Sequence, residues 1–291
     1  MFASIRQLHS VFVGEVSGID CRGPLSAPQV EAIEAAMNEY AVLIFRDQNL
    51  TDDEQIAFTC HFGELENYNT PGHIRKRGDQ RLRPGIADFS NLDKDGNIMS
   101  AEDRVWFFKL GDRLWHSDSS FRPVPAKYSL LSGRALPSWG ANTDFADMRA
   151  AYDALDDRTK AEIADLVCEH SLIYSREAIG FTDLSPDEIK AFQPVQQPLV
   201  RAHPATGRKS LFLSSHAGAI VGWTIPEGRM FLRDLTEHAT APAFVYSHTW
   251  RPYDLVMWDN RATMHRARRF DRTEIRDVRR TTLAGTPAIK Q

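Results

Sequence analysis

The apolar residues of this 291-residue chain fall in short runs of strand length separated by turn residues, and helix starts are marked elsewhere by capping signals. The run "AVLIF" at 41–45 is rich in β-branched residues and reads as a buried strand. "KYSLLSGRAL" (127–136), "NTDFADM" (142–148) and "VRRTTLAG" (278–285) have the same character, and "AFVYSHTWRPYDLVMWDN" (243–260) reads as strand, turn, strand. "PLVRAHPATGRKSLFL" (198–213) places Pro204, Ala205, Thr206 and Gly207 between two strand-like runs and predicts a hairpin. Ser26-Ala27-Pro28-Gln29 is a capping box with proline in the first turn, opening a helix over about 26–39. Thr51 with Glu54 repeats the pattern and opens a second helix toward Gly63. Ser185-Pro186-Asp187-Glu188 starts a short helix. "PEGRMFLRDLTEHAT" (226–240) predicts another, and 149–170 predicts one or two. With no repeat or linker in view, the chain reads as one α+β domain, 1–291, around a β-sandwich or barrel.

Between Glu66 and Asp112 these signals fade. The stretch is rich in Gly, Asn, Asp and basic residues, and so long a loop in a compact domain is expected to be an active-site lid. Its basic residues His73, Arg75, Lys76, Arg77, Arg81 and Arg83 are expected mainly to be solvated, though they could help attract an anion.

Hydrophobic residues make up 42% of the chain and charged residues 25%, which excludes a fibrous or disordered class. A net charge of −4 gives no global basic field for nucleic acid or an anionic membrane. No apolar run approaches the roughly 18 residues of a membrane span, and no export signal opens the chain, so a cytoplasmic protein is expected. Cys21, Cys60 and Cys168 lie far apart without C-x-x-C spacing, so any bound metal should have N and O ligands.

"LWHSDSSF" (114–121) contains such ligands. On a strand, residues i and i+2 share a face, so His116 and Asp118 aim together while Ser117 points away. An imidazole and a carboxylate suit Fe(II), Mn(II) or Zn(II), and two imidazoles with one carboxylate leaving open positions is the arrangement of non-heme Fe(II) oxygenases. A third ligand is needed, and "DLVMWDNRATMHRARRFD" (254–271) offers His265, an imidazole following the strand-like "LVMW" and a small-residue turn. Arg266, Arg268, Arg269, Arg272, Arg276, Arg279 and Arg280 follow. A planar guanidinium fork suits a buried carboxylate. Trp115 and Trp258, which flank the two motifs, are expected to pack rather than react.

"WHSDSSF", "GANTDFADMRAAYDAL", "DLVMWDNRATMHRARRFD" and "IRDVRRTTL" together resemble the taurine and 2,4-dichlorophenoxyacetate dioxygenases, a family of Fe(II)- and 2-oxoglutarate-dependent enzymes, most nearly its 2,4-dichlorophenoxyacetate branch. The resemblance spans nearly the whole chain. It implies a double-stranded β-helix (jelly-roll) core with flanking helices, and His116, Asp118 and His265 as ligands of one Fe(II). It further implies Arg276 as the partner of the distal carboxylate of 2-oxoglutarate, assisted by Thr143, and Arg280 as the partner of the substrate's anionic group. Arg279 should then alternate to the other face of the strand. His203 and His216, read as lying on the two hairpin arms, match histidines that line the substrate side. With O2 as oxidant, the implied reaction hydroxylates a small anionic aromatic substrate, an aryloxyalkanoate such as 2,4-dichlorophenoxyacetate, next to its ether oxygen, an aryloxyacetate then giving a phenol and glyoxylate with succinate and CO2. Two rival readings remain at this stage. One is a sulfonate dioxygenase of the taurine type; the other is a non-catalytic jelly-roll protein binding 2-oxoglutarate or metal. Oligomeric state stays open, a homo-oligomer included.

Overall fold

The computed structural model describes residues 4–66 and 80–287. Its centre is a seven-stranded sheet, in the order Ile5–Gln7, Gly14–Val16, Val42–Phe45, Leu255–Asp259, Ala126–Ala135, Asp277–Ala284 and Ala87–Asp88. All neighbours are antiparallel except Gly14–Val16 against Val42–Phe45. A second sheet has Thr143–Asp147 between Val245–His248 and Thr263–Ala267.

The period-2 alternation of strand side chains sorts the core into two layers. From Val42–Phe45, Leu43 and Phe45 pack with Leu130, Leu255 and Met257 against Ile33 and Met37 of the helix Ala27–Tyr40 and Phe58 of the helix Asp52–Cys60. Val42 and Ile44 face the other way and meet Leu131, Val256, Trp258, Val278 and, from the second sheet, Phe145. The large sheet therefore has helices on one face and the second sheet on the other. Both helices begin where expected, with capping boxes at Ser26–Gln29 and Thr51–Glu54.

A third sheet, Ala217–Ile220 / Val167–His170 / Val195–Pro198, and the hairpin Val200–Ala202 / Lys209–Leu211 complete the body. The helix Ile225–Ala239 covers this region through Leu232 and Leu235. Among the described residues no helix is long and apolar enough to cross a membrane, and all three cysteines are free.

Several local expectations need correction. The helix at about 26–39 is not the first element: two short strands, Ile5–Gln7 and Gly14–Val16, come before it. Residues 149–170 form two helices, Met148–Asp153 and Asp157–Ile163, but end in the strand Val167–His170, whose partners are distant in sequence. Val245–His248 and Leu255–Asp259 are strands that enter different sheets rather than pairing with each other. Part of the 66–112 stretch lies outside the described residues, including His73, Arg75, Lys76 and Arg77. Its described part holds the strand Ala87–Asp88, the helix Arg104–Lys109 and a 3-10 turn at Leu110–Arg113.

Candidate metal centre

His116, Asp118 and His265 converge, with one ligand atom of each lying within 4.8 Å of the others, and all three residues are buried. His265 lies on the strand Thr263–Ala267, at the edge of the second sheet. His116 joins that edge by an isolated antiparallel bridge to His265, so the backbone brings the imidazoles together, ring centroids 4.2 Å apart. Asp118 follows two residues later, its Oδ1 4.0 Å from His116 Nε2 and its Oδ2 3.8 Å from His265 Nε2. Ser119 then takes a left-handed conformation (φ 55°), unfavourable for a residue with a Cβ by about 1–2 kcal/mol, and turns the chain away directly after the carboxylate.

Around these groups the hydrogen bonds orient the ligand atoms. His116 Nδ1 lies 2.7 Å from the carbonyl oxygen of Leu114; since a carbonyl only accepts, Nδ1 donates there, and in the neutral ring Nε2 is the nitrogen left to bind a metal. Ser129 donates to Asp118 Oδ2 at 2.7 Å, and Asn260 Nδ2 donates to Ser129 Oγ at 2.9 Å. Asn260 Oδ1 in turn accepts from the Asp118 backbone N–H at 3.1 Å and from Trp258 Nε1 at 3.0 Å. Sequence reasoning missed Ser129 and Asn260. Asn260 had a signal, a polar residue ending a strand beside the His265 turn; Ser129, within an apolar strand, had none.

Charge is arranged to suit a cation. Burial alone would raise the Asp118 carboxyl, but the Arg280 guanidinium beside it, with the Ser129 hydroxyl, outweighs it and holds the group at about 2. Burial, and then the neighbouring His116, pushes His265 well below the ordinary histidine range. An ionised carboxylate and a neutral imidazole are the forms a metal ligand must take. The donor set therefore fits Fe(II).

Two cavities meet at this cluster. One is lined by Thr143, His265, Arg276, Trp258 and Phe270; the other by Asp118, Phe121, Arg176 and His216; His116 and Arg280 line both. Arg276 immediately precedes the strand Asp277–Ala284, next to a register shift between Asp277 and Val278. Its Nη1 donates to the carbonyl of Phe89 at 2.7 Å, while its buried Nε has no partner. Burial lowers this guanidinium to about 10. Thr143 Oγ1 accepts from Trp250 Nε1 at 3.0 Å. Arg280 stacks over Phe89, 4.2 Å from guanidinium carbon to ring centroid, and donates to Asp118 Oδ1. Arg279 turns away, to Asp277 and Asp52, at 2.9 and 2.8 Å.

The two remaining histidines part company. His216 lies outside the hairpin arms, just before the strand Ala217–Ile220, and reaches the second cavity with its ring 6.0 Å from His116 and 5.0 Å from Phe121. His203 is not brought to the centre. It follows Val200–Ala202, lines neither cavity, and is held 3.0 Å from Asp259, a carboxylate also gripped by Arg261. Trp115 packs under Arg266, 4.4 Å from guanidinium carbon to ring centroid.

Residues 4–282 match the model of the family described as Taurine catabolism dioxygenase TauD, TfdA family. The chain is 45% identical over 280 residues to the alpha-ketoglutarate-dependent 2,4-dichlorophenoxyacetate dioxygenase of Burkholderia sp. (strain RASC), covering 96% of this chain and 93% of the relative. It is 38% identical to the (S)-phenoxypropionate/alpha-ketoglutarate-dioxygenase of Sphingobium herbicidovorans, over 98% and 96% of the two chains. The crystal structure of AAD-2 in complex with Mn(II) and N-oxalylglycine superposes with a TM-score of 0.97 at 57% identity, covering 99% of this chain and 100% of that one.

Proposed function

The chain belongs to the TauD, TfdA family and is an Fe(II)- and 2-oxoglutarate-dependent dioxygenase, and from that premise we propose that it hydroxylates an aryloxyalkanoate at the carbon next to the ether oxygen. The observation that carries this reading is the meeting of two cation-bearing cavities at His116, Asp118 and His265. In the same reading, the two facing sheets are the halves of a double-stranded β-helix and 1–291 is one domain. Phe89 and Asp112, from the expected lid, form part of the wall of both cavities.

His116, Asp118 and His265 would hold the iron, leaving positions open on the cavity side. Bound Fe(II), with 2-oxoglutarate and O2, supplies the oxidising power, and the cosubstrate leaves as succinate and CO2. Arg276, with a buried unpaired N–H, takes the distal carboxylate of 2-oxoglutarate, and Thr143 lies in the same cavity. Arg280 reaches the wall of both cavities and takes the substrate carboxylate, with Phe121 and His216 lining the side where the ring would lie. For an aryloxyacetate, hydroxylation beside the ether oxygen gives a hemiacetal that collapses to a phenol and glyoxylate. The acidic chain has little global attraction for an anion, so these local arginines supply it. The relatives named for 2,4-dichlorophenoxyacetate and (S)-phenoxypropionate support the choice of substrate class.

The test is a screen by O2 consumption with Fe(II) and 2-oxoglutarate present. Aryloxyacetates should accelerate uptake and release a phenol and succinate in equal amounts. Faster uptake with taurine or alkyl sulfonates than with any aryloxyalkanoate overturns the substrate; no succinate with any of them overturns the reading altogether.

A further inference from the structure

Among the described residues five arginines are buried: Arg149, Arg176, Arg201, Arg276 and Arg280. Three have a carboxylate, Arg149 with Asp147, Arg176 with Asp112 and Arg280 with Asp118. Arg276 and Arg201 have none within ion-pair distance. A buried cation without a counter-charge is costly, so such a group marks a place where an anion belongs. For Arg276 that anion is the cosubstrate proposed above. Arg201 lies elsewhere, on the strand Val200–Ala202, and lines a separate cavity with Arg261, Pro125, Pro204 and Gly285, none of which lines the two cavities at the metal centre.

The surroundings of Arg201 hold its guanidinium plane in place without neutralising it. Its guanidinium carbon sits 3.5 Å from the Phe212 ring centroid, a cation–π stack. Its Nη2 donates to Gln197 Oε1 at 2.5 Å, and its buried Nε has no partner. Burial lowers it to about 9, with no carboxylate opposing. Arg261, the second cation of the cavity, is occupied by Asp259 at 2.7 and 2.8 Å, so it brings dipole rather than net charge. Among the described residues no carboxylate lines the cavity. A stacked planar fork with a spare N–H is the receptor geometry for an oxyanion.

We propose that the cavity between Arg201, Arg261 and Gly285 binds a small oxyanion, a carboxylate or inorganic phosphate, at a site separate from the metal centre. The site is wired to the centre by one residue. Gln197, the acceptor for Arg201, donates through its own amide to the carbonyl oxygens of Ser120 at 3.2 Å and Arg122 at 2.8 Å. Those carbonyls belong to the turn that follows Asp118 and carries Phe121 into the second metal-side cavity. An anion on Arg201 is therefore linked to that turn through the Gln197 side chain.

The experiment uses the full chain without iron, carrying Arg276→Gln so that the other unneutralised arginine is removed. Thermal midpoints are measured against inorganic phosphate and against acetate at constant ionic strength. A ligand that binds only the native state stabilises it in a saturable way. The expected result is a saturable rise in Tm with at least one of the two anions, absent when Arg201→Met is added. A rise that persists with Arg201→Met, or no rise with either anion, overturns the proposal. Should the double variant fail to fold, crystals of the unaltered protein soaked in bromide decide the matter. An anomalous peak within contact distance of the Arg201 guanidinium supports the site, and a cavity without one overturns it.

Discussion

His116 and His265 exchange both of their backbone hydrogen bonds, the N–H of His116 reaching the His265 carbonyl at 3.0 Å and the N–H of His265 reaching the His116 carbonyl at 2.8 Å. The spacing of the imidazoles is thus set by main chain, and a side-chain substitution leaves it in place. His265→Ala is expected to keep the fold and lose the metal. Anaerobic addition of Fe(II) and 2-oxoglutarate should give a visible charge-transfer band in the unaltered protein and none in the variant. Retention of both the band and succinate production would remove His265 from the ligand set.

Arg276→Gln should raise the KM for 2-oxoglutarate far more than that for the organic acid. A hydrogen bond to a charged group is worth roughly 1.5–3 kcal/mol, about ten- to more than a hundredfold in affinity. The backbone N–H of Arg276 is held by Asn91 Oδ1 at 2.8 Å, so the strand should stay in register. Initial rates with each substrate varied in turn check this; an equal loss for both would show that the arginine serves the fold.

Arg280 donates to Asp118 Oδ1, so this guanidinium has a carboxylate to rest on until an anionic substrate competes for it. Arg280→Ala should weaken binding of the organic acid selectively and uncouple the reaction, with succinate formed in excess of phenol, since a misplacement of about 1 Å can cost on the order of a hundredfold in rate. Methyl esterification of the substrate should reproduce the defect in the unaltered enzyme. An unchanged ratio of succinate to phenol in the variant would refute the assignment.

Acid should destabilise the fold through Asp259. Burial raises this carboxyl, but Arg261 and then His203 outweigh it and hold it well below the ordinary carboxylate range. A carboxyl depressed in the native state contributes stability that is present above the unfolded value of about 3.9 and is lost as pH falls toward the native one. Asp259→Asn leaves Arg261 without its carboxylate, at a cost of roughly 3 kcal/mol. Denaturant unfolding should show the gap between variant and parent widest at pH 7 and narrower at pH 3. A gap independent of pH would mean that the carboxylate contributes shape rather than charge.

The elements legible in the sequence were those whose signal is local. Ser26–Gln29 and Thr51–Glu54 announce helices because the cap is made within four residues, and 41–45 announces a strand because both of its faces are buried. Val167–His170 was lost because its strand character comes from distant pairing partners, while the preceding helix pattern ran straight into it. The candidate metal cluster was legible in the two-residue spacing of His116 and Asp118 and in the lone imidazole of His265, although the strand expected to carry the first pair is a single bridge at His116 followed by a turn at Asp118. His203 illustrates the opposite failure. Its residue type fits a cavity wall, and only three-dimensional structure shows that Asp259 has claimed it.

The bridge between the two histidines also dictates an order of events in the cell. The strand carrying His265 is synthesised well after His116 and Asp118 have left the ribosome, and so are Asn260, which braces Asp118, and Arg280, which holds it ionised. Until then the growing chain offers an imidazole and a carboxylate with nothing to fix their spacing, a poor chelate for any divalent ion. On the proposed reading, iron would therefore be acquired by the finished fold, through the cavities, and competition among metals would be decided by the folded site rather than by a nascent peptide.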